Sequence, residues 1–204
     1  MRSYSNYSVR DLLDAFSSTA PAPGGGAAAA LTGAVGVSLL LMAAGIRSSR
    51  PNESADSSKL ADATDGLRSL RPAIELLVDH DAEAYTSVIA ALRMPAGERR
   101  QAAIDSAMRA ATDVPLEIMR ACRRALRHAP IVAEHSIRST HGDVAVAIEL
   151  ARAAVRSAGL TIDSNLTMLK DTEYVRLVKE ERQRLDTESA ADAEDALGYF
   201  RTGG

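Results

Sequence analysis

The chain has no tryptophan, and aromatic residues make up only 3% of its 204 positions. A ring-stacked core is therefore excluded, and Leu, Ile, Val, Ala and Met must fill the interior. A single cysteine, Cys122, excludes an intrachain disulfide, and a cytoplasmic location is the simplest reading. There is no basic surplus: 24 Lys and Arg stand against 27 Asp and Glu, which is not the footprint of a nucleic-acid binder. No His-x-x-x-His pair or Cys–His cluster occurs, so no metal site is expected. The opening Met1-Arg-Ser-Tyr-Ser leads into a polar stretch, so no secretory signal is expected either. No alternating strand pattern of useful length is present.

What is present is alanine, the best helix former, together with small side chains that let helices approach closely. The expected class is all-α: an up-and-down helical bundle around a buried Ala/Gly-rich central helix. The length favours one domain over 1–204, with 179–204 as a charged C-terminal helix or tail. The uncharged run from Gly24 to Ile46 is long enough to span a bilayer, but it is mostly Ala and Gly and lacks interfacial Trp or Tyr. A central helix buried on all sides is the preferred reading, with no membrane partner.

Punctuation divides the chain. Ser8, with Asp11 three residues on, opens a first helix carrying Val9, Leu12, Leu13 and Phe16 on one face. Pro21-Ala-Pro23 ends that region, and residues 47–54 read as a polar loop. A helical pattern runs from Ser58 to Met94, with a kink or break expected at Pro72. After the Pro95–Gly97 turn, helices are expected over 98–111, from Asp113 as N-cap to His128, and over 131–138. Another runs from Asp143 to Ser157, stopped by Gly159, and one or two more from Ile162 to Phe200.

Two features carry chemistry. The first is Asp81, which falls in the apolar stripe of Ile74, Leu77, Val78, Ala84, Val88 and Leu92, with Tyr85 four residues on along the same face. A carboxylate facing a core is costly unless paired, and its pKa tends to rise, which suits proton transfer near neutrality. A buried Asp that caps a neighbouring helix or pairs with an arginine fits the same pattern. Asp79 and Glu83 point elsewhere and need only be solvated. The second is Gly24-Gly25-Gly26 before a helix, where backbone N–H groups can approach an anion. Close helix packing explains the glycines equally well. Cys122 reads as a packed small residue.

Three blocks in order resemble the formiminotransferase-cyclodeaminase / methenyltetrahydrofolate cyclohydrolase family. They are Pro21–Gly26 with the small-residue helix ending Leu41-Met42, Leu77–Tyr85 with Leu92–Pro95, and a late set of Val114–Leu116, Asp143–Ala145, Asn165-Leu166 and Lys170-Asp171. The resemblance covers about residues 8 to 175 and implies a helical bundle paired as a homodimer. It implies an enzyme acting on a C–N bond of a small-molecule substrate, a tetrahydrofolate derivative, with no cofactor required. Carried over, Asp81 would be the acid/base; Gly24, Gly25, Gly26, Tyr85, Asp143 and Asn165 would contact substrate. The chain departs from the family pattern at Ala27, Ile137 and Thr161. Those departures keep open an enzyme for another small cyclic imine or amine, and a helical dimer that binds without chemistry.

Overall fold

The computed structural model describes residues 3–49 and 57–201. They form six α-helices and two short 3-10 turns, and no strand occurs among the described residues. The helices are α1 (Val9–Ser17), α2 (Gly25–Ser48), α3 (Ser57–Leu92), α4 (Glu98–His135), α5 (His141–Leu166) and α6 (Thr172–Arg201). Short connections turn α3 into α4, α4 into α5 and α5 into α6, as in an up-and-down bundle. Helices α2 to α5 pack around one core, and α6 lies across α4 and α5. Most of the expected 47–54 loop lies outside the described residues.

Local chemistry sets the boundaries. The Ser8 hydroxyl oxygen accepts the Asp11 N–H at 3.1 Å, capping α1, and the Ser8 hydroxyl donates to the Asp11 carboxylate at 2.7 Å. Gly97 turns α3 into α4 at φ +150°, a conformation that L side chains rarely adopt. Along α2, glycine is what allows close packing. A Cβ at Gly33 would lie 2.4 Å from Cys122 Sγ, and one at Gly36 would lie 2.8 Å from the Ala147 carbonyl oxygen. Cys122 is fully buried, and burial pushes its thiol up to about 12, so it is packing rather than a nucleophile.

Helix α2 is long and apolar enough to cross a membrane, by length and composition. Here it packs against α3, α4 and α5. Its burial is not all-round: Ala27, Ala30, Val37, Leu40 and Ala43 are sealed, while Val35, Met42 and Ile46 stay exposed.

Two expected breaks are absent: Pro115 and Pro130 sit inside continuous α4, while at Pro72, where a kink or break was expected, α3 runs without a break. Asp113, expected as a cap, is mid-helix and accepts the Tyr174 hydroxyl at 2.7 Å. Tertiary packing over 38 residues of α4 outweighs the one backbone bond each proline removes. Gly159 likewise stops nothing. It lies within α5, where a Cβ would stand 3.2 Å from Arg182 Nε, so its smallness admits α6. The charged C-terminal segment is α6, with Val178, Leu185, Ala193 and Ala196 buried and Arg120–Glu181, Arg123–Glu188 and Arg182–Asp163 tying it to the bundle.

Candidate active site

The N-terminus of α2 meets the middle of α3 at one contact. The Ala27 N–H, in the first turn of α2, donates to Asp81 Oδ2 at 2.8 Å. A Cβ on Gly26 would lie 1.9 Å from Asp81 Oδ1, so only glycine lets the carboxylate reach the helix end. The two features singled out in the sequence are therefore one device. Gly26 makes room for Asp81, while a Cβ at Gly24 would meet nothing within 4 Å.

Asp81 is 9% exposed, and among the described residues no Lys or Arg forms an ion pair with it. Burial raises its pKa above the ordinary carboxylate value, and the Ala27 N–H draws it only part of the way back. An uncompensated carboxyl of this kind can exist in either protonation state nearer neutrality than a surface aspartate can.

Beside Asp81 opens a cleft of about 650 Å³, a size suited to a small organic ligand. It is walled by Gly24, Gly25 and Gly26 of α2, Asp81 and Tyr85 of α3, Ala111 of α4, and Ser157, Thr161, Ser164 and Asn165 of α5. Among the described residues, Asp81 is the only carboxylate lining it, and no Lys or Arg does. The Gly25 and Gly26 N–H groups, orphaned at the helix start, have no partner among the described residues.

Six of the seven residues expected to form the site therefore meet at one cleft. The seventh, Asp143, is not brought there. It is exposed in the first turn of α5, and Ser157, the first cleft residue of that helix, lies about 21 Å further along it at 1.5 Å per residue. Ser157, Leu160 and Ser164 were missed, although Ser157, Thr161 and Asn165 repeat every four residues and so share a face. Placing a helix stop at Gly159 hid that spacing.

Asp79 is also more than a solvated charge. Its carboxylate accepts the Tyr4 N–H at 2.6 Å and the Ser3 hydroxyl. The Tyr4 hydroxyl in turn donates to the Ala22 carbonyl at 3.2 Å, in the loop just before the glycines. The N-terminal segment thus straps that loop to α3 two residues from Asp81.

The all-helical bundle thus sets a buried carboxyl, with no ion-pair partner among the described residues, at a helix N-terminus beside a cleft of small-molecule size. The chain matches the profile of the formiminotransferase-cyclodeaminase family over residues 8–184 and belongs to that family. It is 34% identical to a methenyltetrahydrofolate cyclohydrolase of Methylorubrum extorquens over 91% of this chain and 92% of the relative. It is 25% identical to a formimidoyltransferase-cyclodeaminase of Dictyostelium discoideum over 87% of this chain and 33% of that longer protein. The crystal structure of a formiminotetrahydrofolate cyclodeaminase from Thermotoga maritima has the same fold, with a TM-score of 0.89 over 97% of both chains at 18% identity.

Proposed function

We propose that this protein is a cyclohydrolase/cyclodeaminase-type enzyme that opens the cyclic amidine of methenyltetrahydrofolate by water, with Asp81 as the acid/base. The observation that carries the reading is Asp81 itself: a carboxyl with raised pKa, with no Lys or Arg ion pair among the described residues, in the wall of a cleft of ligand size.

The substrate's reacting carbon sits in a delocalised amidinium cation. A cleft lined, among the described residues, by one carboxylate and no Lys or Arg suits a cation, and binding one beside Asp81 favours the ionised carboxylate. Water then adds to the amidinium carbon and its proton passes to Asp81. The tetrahedral adduct breaks one C–N bond as the departing nitrogen takes that proton back. The carbinol hydroxyl becomes the formyl carbonyl and loses its proton to solvent, so one proton is released per turnover. In this reading the Gly25 and Gly26 N–H groups supply donors at the adduct, Tyr85 packs against the substrate, and two chains pair as a homodimer.

A second reading, a smaller cyclic imine or amidine on the same machinery, is favoured by one observation: among the described residues no Lys or Arg lines the cleft to meet the carboxylates of a folate's glutamyl tail. Against binding without chemistry stands the cleft itself, which is open beside Asp81 rather than packed shut.

The test is the decay of methenyltetrahydrofolate absorbance with purified protein, beside a thermal melt with and without folate. Turnover above the spontaneous rate is expected. Absence of turnover together with absence of folate protection would sink the folate reading and leave the smaller imine.

A further inference from the structure

Pro115 and Asn165 lie on different helices, yet one carbonyl links them. An α-helical carbonyl accepts the N–H of the residue four positions later. Pro115 has no N–H, so it leaves the Ala111 carbonyl without that partner. Asn165 Nδ2 donates to this same oxygen at 2.7 Å. Ala111 is buried to 5% exposure and lines the cleft, so the bond lies in the cleft wall, where an unmet carbonyl is costly.

This bond fixes more than a helix. A side-chain amide has one donor end and one acceptor end, and a carbonyl can only accept. The amide nitrogen must therefore be the atom turned to Ala111, which leaves the Asn165 carbonyl oxygen for the cleft. Asn165 is itself a cleft residue, eight positions along α5 from Ser157.

We propose that Pro115 is a positioning residue: by withholding a backbone N–H it locks the Asn165 amide with its oxygen toward substrate, so that the cleft presents an acceptor there and selects a ligand N–H over a ligand carbonyl. The substrate class is that of the acid–base reading above, on which this inference rests. With Asp81 on one wall and the Asn165 oxygen on another, acceptors face the site from two sides, matched to a nitrogen-rich heterocycle that carries donors.

The experiment is a double-variant cycle of Pro115→Ala and Asn165→Ala, read by thermal melts, steady-state kinetics and side-chain amide NMR. Alanine in place of the proline supplies the missing N–H to Ala111, whose carbonyl then no longer depends on the Asn165 amide. Pro115→Ala is expected to melt at or above wild type, yet to lose about tenfold in kcat/KM, the worth of one well-placed hydrogen bond. A merely structural proline would not separate stability from turnover in that direction. Asn165→Ala is expected to lower the melting temperature with Pro115 present and to lower it far less in the Pro115→Ala background. The Asn165 side-chain amide protons should exchange slowly in wild type and rapidly in Pro115→Ala. Equal Asn165→Ala melting losses in both backgrounds, or unchanged amide exchange, would overturn the proposal. Because melts and exchange need no substrate, those results stand even if wild type turns over no folate. An inactive wild type with a coupled Pro115–Asn165 pair would remove the folate reading alone.

Discussion

At Asp81 two demands oppose each other. The Ala27 N–H favours a negative oxygen, while burial penalises the charge. Burial prevails, so the folded state binds a proton more readily than the unfolded chain does. Linkage fixes the sign. Stability from this group is fully present below the unfolded carboxyl's pKa and is lost as pH climbs through the raised folded value. Asparagine keeps an oxygen for the Ala27 N–H and carries no charge. Asp81→Asn is therefore expected to cut turnover at least about a hundredfold while melting higher than wild type at neutral pH. In acid the two melting curves should converge. A pH series of thermal melts beside the activity assay checks both halves, and a variant that melts lower than wild type at neutral pH would refute the assigned environment.

The N-terminal strap is a feature of elements rather than of one residue. Asp79 of α3 holds residues 3 and 4, and Tyr4 holds the loop that feeds α2. Asp79→Ala leaves the Tyr4 N–H and Ser3 hydroxyl without their acceptor and is expected to cost about 1–3 kcal/mol, against about 1 kcal/mol for Tyr4→Phe. Amide exchange at Ala27 and Ala28 should quicken in both, more in Asp79→Ala, because the strap ends just before the first turn of α2. Unchanged exchange there would show that α3 and α2 position the loop without it. The strap also marks where sequence was silent, since nothing about Asp79 distinguishes it from a solvated charge until residue 4 is seen beside it. Asp81 was legible because helical periodicity alone puts it among Val78 and Ala84. Pro115, Pro130 and Gly159 misled because each has a strong local meaning that packing overrode. Pro115 and Gly159 each answer to a side chain from another helix, Asn165 and Arg182, which no local pattern reveals.

At the scale of the molecule, the unexplained feature is an apolar face. Val35, Met42 and Ile46 are 45%, 39% and 37% exposed on α2, and Val146 and Leu160 are 52% and 68% exposed on the adjoining α5. Along α2 these residues recur at seven and four positions, one stripe of the helix surface. The interior of α2 is already filled by its other faces, so the stripe is surplus to the bundle. Exposed apolar side chains along two adjoining helices mark an interaction surface. A second copy of this chain fits the proposed homodimer, because a two-fold axis lets one patch cover the same patch on its partner. Leu160 also lines the cleft, so the pairing would close against its rim and shield the amidinium from bulk water. Val35→Glu with Val146→Glu would set like charges against each other across that axis. The wild type is expected to sediment as a dimer at micromolar concentration and the double variant as a folded monomer with an unchanged helical spectrum. Kinetics should show the monomer weakened at the cleft while Asp81 stays in place. A wild type that sediments as a monomer, or a variant that still pairs, would leave the stripe to some other occupant and the cleft open on that side.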